Sequence, residues 1–277
     1  MITGSCIRHG AHTETKRSVR MKWKATARAA HLAAIAAVLC LGVGTMFADP
    51  VPSSEDGETG PVQAKLDALN EESNSQVPPA LLEAGRQGNK ELKASGILDH
   101  ALKVGATMPA FTLDDANGNS VSSSDLLAKG PLVVIFYRGA WCPFCNLYLS
   151  SVQKYLPEIE TQGATLVAIS GERPDRSLSV EQTNSLSYPV LSDPDLTAAR
   201  QFGIVYELPT VVNDAITAVG FDMAKYYGTE KAELPLSATY VIDSDGTVAY
   251  AFATVDYKVR AEPKDFLAAL SALGQKR

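Results

Sequence analysis

Residues 131–145 read PLVVIFYRGAWCPFC, and this stretch decides the fold of the 277-residue chain. Residues 131–137 are apolar and rich in β-branched side chains, a pattern typical of a fully buried strand. Residues 143–161 carry apolar side chains at helical spacing, which predicts an amphipathic helix. Cys142 and Cys145 therefore lie after the predicted strand, at the N-terminus of the predicted helix. Unpaired N–H groups and the helix dipole favour an anion there, so a thiol at this position is expected to ionise readily.

Strand and helix patterns alternate from about residue 106 onward. Two short strands joined by a turn at Asn117-Gly118 come first, and later patterns fall at 164–170 (strand), 175–186 (helix), 195–202 (helix), 238–246 with 247–255 (hairpin) and 262–273 (helix). This alternation predicts an α/β fold with a mixed central sheet flanked by helices. The stretch at 188–193 is interpreted as an edge strand. Residues 205–235 show no clear period and are interpreted as an insertion with one helix near 221–228.

The first 48 residues differ from the rest of the chain. They hold seven of the 25 basic residues but only one of the 31 acidic residues, and an uncharged apolar run at 32–47 precedes Ala48. This pattern predicts a secretory signal peptide over residues 1–48, with a retained membrane anchor at 32–47 as the alternative. The protein is accordingly expected to be exported, periplasmic or extracellular. Either Met1 or Met21 could be the true start.

Residues 49–60 are polar and rich in Pro, Gly and acidic side chains, so they are interpreted as a flexible linker. Residues 61–104 are predicted to form a helical extension before the main domain at 105–277. Without the first 48 residues the chain has 18 basic and 30 acidic side chains, a formal charge of −12. Nucleic acid is therefore not an expected partner, and membrane contact is expected only if the N-terminal segment is retained.

The number of cysteines limits the kinds of reaction or binding that the protein could carry out. Cys6 and Cys40 would leave with the signal peptide, so the mature chain would keep Cys142, Cys145 and a single histidine, His100. His100, beside apolar neighbours, is interpreted as a structural residue. Two thiols and one remote histidine do not make a structural zinc site or a cysteine hydrolase, and no metal or cofactor is predicted. A purely structural disulfide closing so short a loop would contribute little stability, so reversible redox chemistry is the favoured interpretation.

A longer pattern surrounds FYRGAWCPFC: residues 102–139 read LKVGATMPAFTLDDANGNSVSSSDLLAKGPLVVIFYRG, and ATLVAISGERPD and YPVLSDP follow. Over about residues 96–275 the chain resembles the alkyl hydroperoxide reductase/thiol-specific antioxidant family, in its peroxiredoxin-like branch that carries a CxxC. The resemblance implies a thioredoxin fold for residues 105–277. It also implies reduction of hydroperoxides, with electrons supplied by thioredoxin or a similar dithiol.

The resemblance assigns roles to individual residues. Cys145 takes the place of the peroxidatic cysteine, and Cys142 the place of a hydroxyl residue, from which it would act as the resolving thiol. Arg138 stands where the family usually has proline, and Ser237 stands where it usually has an arginine that activates the peroxide. Two usual members of the site, the hydroxyl residue and the arginine, are thus missing. Arg138 is a candidate substitute, and a salt bridge at the surface or the core rim is the alternative for it.

The same residues also resemble thioredoxins and glutaredoxins. Trp141 precedes the pair as in thioredoxins, CPFC is close to the glutaredoxin pair, and Cys142 would be the more exposed sulfur that attacks first. Pro143 fits both families because proline at a helix start leaves no N–H unpaired. Ser237 would then occupy the place of the cis-proline. This alternative is a thiol–disulfide oxidoreductase acting on protein disulfides.

Three hypotheses stay open from the sequence: a thiol peroxidase, a thiol–disulfide oxidoreductase and a non-catalytic redox-sensing domain. A narrow pocket with Arg138 aimed at Cys145 would favour the peroxidase. A hydrophobic groove around Trp141 and Phe144 would favour the oxidoreductase.

Overall fold

A seven-stranded mixed sheet organises residues 60–275, the part of the chain that the computed structural model describes. Within this part the strands are β1 (Thr112–Asp115), β2 (Ser120–Ser122), β3 (Leu132–Phe136), β4 (Thr165–Ser170), β5 (Val190–Ser192), β6 (Val205–Glu207), β7 (Glu233–Pro235), β8 (Ser237–Ile242) and β9 (Val248–Thr254). Strands β6 and β7 pair with each other in a separate small sheet, and the other seven form the main sheet.

The strand order of the main sheet is β2-β1-β5-β4-β3-β8-β9. Strands β3, β4 and β5 are parallel, whereas β8 runs antiparallel to β3 and β9 runs antiparallel to β8. The portion β4-β3-β8-β9, with the cysteine pair directly after β3, has the topology of the thioredoxin fold. The predicted α/β class with a mixed central sheet is therefore confirmed.

Strand β3 is an interior strand of the main sheet and lies between β4 and β8. Its five side chains are all buried, and they alternate between two hydrophobic clusters on the two faces of the sheet. Val133 and Ile135 belong to one cluster, and Leu132, Val134 and Phe136 belong to the other. Because side chains of a strand point alternately to opposite faces, a strand covered on both faces must be apolar throughout. This explains the continuous apolar run.

Helices cover both faces of the sheet. Within residues 60–275 they are α1 (Pro61–Asn74), α2 (Pro79–Ala94), α3 (Ile97–His100), α4 (Ser123–Leu127), α5 (Pro143–Gln153), α6 (Leu156–Thr161), α7 (Pro174–Asn184), α8 (Thr197–Gln201), α9 (Thr210–Ala218), α10 (Met223–Tyr227) and α11 (Pro263–Gly274). No helix among the described residues is long and apolar enough to cross a membrane. The predicted signal peptide and all of the predicted linker except Gly60 lie outside the described residues, and both stay predictions.

Two sequence-based interpretations of single elements are wrong. The predicted edge strand is β5, which is an interior strand because the β1–β2 hairpin extends the sheet beyond it. The predicted helix at 143–161 is divided into α5 and α6. Pro157 explains the break, because proline has no N–H to bond to the preceding turn and restricts the residue before it.

The predicted insertion at 205–235 contains more structure than its sequence pattern indicates. It forms the β6–β7 pair, with α9 and α10 between the two strands. Helix α9 packs against α2 of the N-terminal extension, and the other long helix of that extension, α1, packs against α5. His100 is exposed at the end of α3, so the structure does not support its interpretation as a structural core residue.

Candidate active site

Cys142 and Cys145 lie at the junction between β3 and α5. Cys142 is the N-cap residue of α5, Pro143 is the first residue of the helix, and Cys145 is the third. The Cys145 N–H donates to the Cys142 carbonyl at 3.0 Å, so the backbone closes a tight turn around the pair. Both sulfurs therefore lie beside the positive end of the helix dipole.

Both cysteines are free thiols in this structure, and both are buried. The exposed fraction is 1% for Cys142 and 0% for Cys145, so neither cysteine is accessible to a protein substrate in this structure. Phe144 is also buried and packs edge-on against Tyr257, with ring centroids 5.6 Å apart. Phe144 therefore does not line an open groove for a protein substrate.

Arg260 supplies a cation directly to Cys145. Its Nη2 lies 3.3 Å from the Cys145 Sγ, and its side chain is oriented by the carbonyls of Tyr257 and Val259, which accept hydrogen bonds from Nη1. Arg260 lies between β9 and α11 and is 5% exposed. The sequence does not reveal this residue, because the family pattern places the activating arginine at the position of Ser237. No local motif marks Arg260, which lies 115 positions from Cys145.

Arg138 is the second buried cation at the site. Its guanidinium carbon lies 4.6 Å from the ring centroid of Trp141 and 4.1 Å from that of Tyr257, so the two rings enclose it. Arg138 is 6% exposed and forms no salt bridge with a carboxylate among the described residues, which contradicts the salt-bridge alternative. Its positive charge instead acts on both thiols.

The two thiols have opposite acidities. Burial raises the pKa of Cys145, but a hydrogen bond from the Cys142 thiol and the charges of Arg260 and Arg138 outweigh it and lower the pKa to about 5. Burial, together with that same hydrogen bond, raises the pKa of Cys142 well above its ordinary value. The site therefore favours a Cys145 thiolate that accepts a hydrogen bond from a neutral Cys142 thiol.

Ser237 does not supply the missing cation. It is buried at the start of β8, and its hydroxyl has no hydrogen-bond partner among the described residues. The positive charge at the sulfurs comes instead from Arg138 and Arg260, and neither residue occupies the position where the family usually has an arginine.

The loop before the cysteines is held by side chains that the sequence analysis did not single out. Glu172 is buried and accepts hydrogen bonds from the Ala140 N–H at 2.9 Å and the Tyr226 hydroxyl at 2.7 Å. Burial raises the pKa of Glu172, against the lowering effect of these two bonds. The Tyr227 hydroxyl donates to the Arg138 carbonyl and accepts from Trp141 Nε1 at 3.0 Å. Helix α10, within the predicted insertion, thus fastens the loop.

Gly139 lets this loop approach its neighbours. Its φ is 154°, and a Cβ there would lie 2.6 Å from both Trp141 Nε1 and the Tyr227 hydroxyl. Within residues 60–275, no group of three or more His, Cys, Asp and Glu side chains is arranged to hold a metal ion. The absence of a cofactor stays a prediction.

Comparison with known proteins identifies relatives. A family model described as "AhpC/TSA family" matches residues 104–251, which is more than half of the chain. A Mycobacterium tuberculosis protein that is provisionally named as a peroxiredoxin is 29% identical over 160 residues. The alignment covers 58% of this chain and 88% of the relative. Peroxiredoxin Bcp of Escherichia coli strain K12 is 26% identical over 151 residues, covering 54% of this chain and 85% of the relative. The crystal structure of peroxidoxin BcpB from Mycobacterium tuberculosis aligns with a TM-score of 0.49 at 26% identity, covering 62% of this chain and 97% of that one.

The low pKa of Cys145 predicts a pH profile. In a single-thiol chain, which is the full-length protein with Cys6→Ser, Cys40→Ser and Cys142→Ser, alkylation of Cys145 should be nearly independent of pH around neutrality. The rate should fall only at a pH well below the range of an ordinary thiol, because Arg260 and Arg138 still stabilise the thiolate and protonation removes the nucleophile. Iodoacetamide kinetics measure this. A rate that keeps climbing through about pH 8, as for an ordinary thiol, would contradict the assignment.

Removal of the Tyr227 hydroxyl should destabilise the protein. Tyr227→Phe leaves the Trp141 indole N–H and the Arg138 carbonyl without their partner, so the free energy of unfolding should fall by about 1–3 kcal/mol. Tyr155→Phe is the matched control, because the Tyr155 hydroxyl has no hydrogen-bond partner in residues 60–275, and its change should stay within about 0.5 kcal/mol. Denaturant unfolding measures both. Equal changes in the two variants would show that the α10 contacts do not hold the loop.

Proposed function

This chain belongs to the AhpC/TSA family, and from that membership we propose that it is a thiol peroxidase that reduces hydroperoxides through Cys145 and Cys142. The relatives named peroxiredoxin support the peroxidase activity. The observation that carries the assignment of the attacking sulfur is the Arg260 guanidinium at 3.3 Å from the Cys145 Sγ. A buried thiolate needs a compensating charge, and this contact supplies one at the second cysteine rather than the first.

The first step consumes the hydroperoxide. The Cys145 thiolate attacks the terminal oxygen, the O–O bond breaks, and its electron pair leaves with the alkoxide or hydroxide. That leaving group takes a proton, and Cys145 becomes a sulfenic acid. Arg260 and Arg138 hold positive charge beside the reacting sulfur, where it would stabilise the charge that develops on the peroxide oxygens.

The second step forms a disulfide. The Cys142 thiol condenses with the sulfenic acid, an S–S bond forms, and water leaves with the hydroxyl of the sulfenic acid and the thiol proton. Since the two cysteines share the first turn of α5, the condensation requires little rearrangement. A thioredoxin-like dithiol is the proposed reductant. Its two thiols would exchange with the disulfide, returning both cysteines to the reduced state.

The second candidate is exchange with protein disulfides starting from Cys142. That chemistry needs an accessible Cys142 thiolate, as in the thioredoxin lineage. Burial and the hydrogen bond to Cys145 raise the pKa of Cys142 instead, and its sulfur is covered in the reduced structure. A non-catalytic redox-sensing domain, the third candidate, would not require two buried guanidinium groups at the sulfurs. These observations favour the peroxidase.

Stopped-flow peroxide consumption tests the proposal. In the full-length chain with Cys6→Ser and Cys40→Ser, the Cys142→Ser variant should react with hydrogen peroxide at least a hundredfold faster than free cysteine. That factor follows from the roughly 10²–10³-fold effect expected of one preorganised charge-stabilising group. The variant should also form a sulfenic acid. The matched Cys145→Ser variant should react no faster than free cysteine. A fast reaction at Cys142 alone, or at neither cysteine, would overturn the assignment.

A further inference from the structure

We propose that Gln63 and Glu262 are positioning residues that hold Arg260 against Cys145, so that helix α1 of the N-terminal extension sets the reactivity of the thiol. The inference deepens the proposed function and rests on it. Helix α1 lies outside the residues that match the family model, and so does Arg260. The extension would thus complete an active site whose usual arginine position is occupied by Ser237.

Gln63 makes two contacts with the segment that carries Arg260. Its Oε1 accepts a hydrogen bond from the Arg260 backbone N–H at 3.1 Å. Its Nε2 donates to the Lys258 carbonyl at 3.1 Å. The segment has no regular secondary structure here, so the Gln63 side chain supplies the hydrogen-bond partners of the Arg260 N–H and the Lys258 carbonyl.

Glu262 fastens the other end of the same segment. Its Oε1 accepts hydrogen bonds from the Val62 N–H at 3.1 Å and the Gln63 N–H at 2.6 Å. These N–H groups belong to the first turn of α1 and have no partner within the helix, so the carboxylate both caps the helix and benefits from its dipole. The segment 258–262 is thus attached to α1 at every second residue, through Lys258, Arg260 and Glu262.

The close fit of this attachment is visible at Gly60. A Cβ on Gly60 would lie 2.2 Å from the Glu262 Cδ, so glycine leaves room for the carboxylate in its present position at the helix start. The helix itself is anchored, because Val62 and Leu66 are buried in the same hydrophobic cluster as Cys145. The core therefore fixes α1, and α1 fixes the backbone of Arg260.

The position of Arg260 matters because its contact with sulfur is short-ranged. A charge-assisted N–H···S bond requires the donor near its present 3.3 Å, and both groups are buried where the interaction is strong. The side chain is oriented by the carbonyl of Val259, which lies in the segment that Gln63 holds, and by the carbonyl of Tyr257, directly before that segment. Release of that segment would move the guanidinium and its orienting carbonyls together, and Cys145 would lose part of its stabilising charge.

The test uses the single-thiol chain defined above, to which Gln63→Ala or Glu262→Ala is added. Each should raise the pKa of Cys145, seen as a shift of the alkylation profile to higher pH by about one unit, and each should slow the reaction with hydrogen peroxide about tenfold. Adding Arg260→Met to Gln63→Ala should change the profile less than Arg260→Met alone does, because both remove the same contact. Lys65→Ala, an exposed position on α1, is the control and should leave the profile unchanged.

The pH profile separates positioning from general stability, since a helix that merely stabilises the fold would alter the melting temperature without moving the pKa of Cys145. Glu262→Ala removes the attachment at the other end of the segment and gives an independent result if Gln63→Ala does not fold. An unchanged profile in the folded variants would overturn the inference while leaving the peroxidase proposal intact. A parent chain that reacts with peroxide no faster than free cysteine would instead overturn the proposed function, and the alkylation profile would still decide the role of α1.

Discussion

The contact between the Arg260 guanidinium and the Cys145 sulfur is the interaction on which the rest of the site depends. A thiolate with no exposed surface is costly in a protein interior unless a cation or several hydrogen-bond donors compensate it. Here the helix start, the Cys142 thiol and two buried guanidinium groups act on one sulfur. Removal of the charge at Arg260 would leave burial opposed only by the helix start, the Cys142 thiol and Arg138, so Cys145 would become a weaker acid.

Three parts of the fold position the groups that meet at this contact. The β3–α5 junction presents the sulfur, because a strand buried on both faces leads directly into a helix whose first turn holds both cysteines. Helix α1 and the segment 258–262 present Arg260. Glu172 and α10 fasten the loop that places Arg138 between two aromatic rings. Elements from the start, middle and end of the described chain thus meet at one sulfur.

The sequence predicts what depends on local pattern and misses what depends on distant packing. The apolar run of β3 and the helical spacing after Cys145 were sufficient for the fold class and for the place of the thiols, since strand and helix periodicities are local. Arg260 was missed because its role arises from a fold that joins positions 115 residues apart. The interior position of β5 was missed for a similar reason, because only the distant β1–β2 hairpin covers its free edge. Helix α10 was anticipated, but its tyrosines acquire their role only through contact with the Arg138–Trp141 loop.

The ultraviolet absorbance of the Cys145 thiolate, followed across pH in the single-thiol chain with and without Arg260→Met, tests the central claim most directly. Methionine preserves much of the side-chain volume and removes the charge. In the parent the thiolate should persist to a pH well below the range of an ordinary thiol, because both guanidinium groups remain beside the sulfur. Arg260→Met should raise the midpoint by roughly one to three units, the usual effect of a neighbouring opposite charge. The same midpoint in both proteins would show that Arg260 does not control the sulfur.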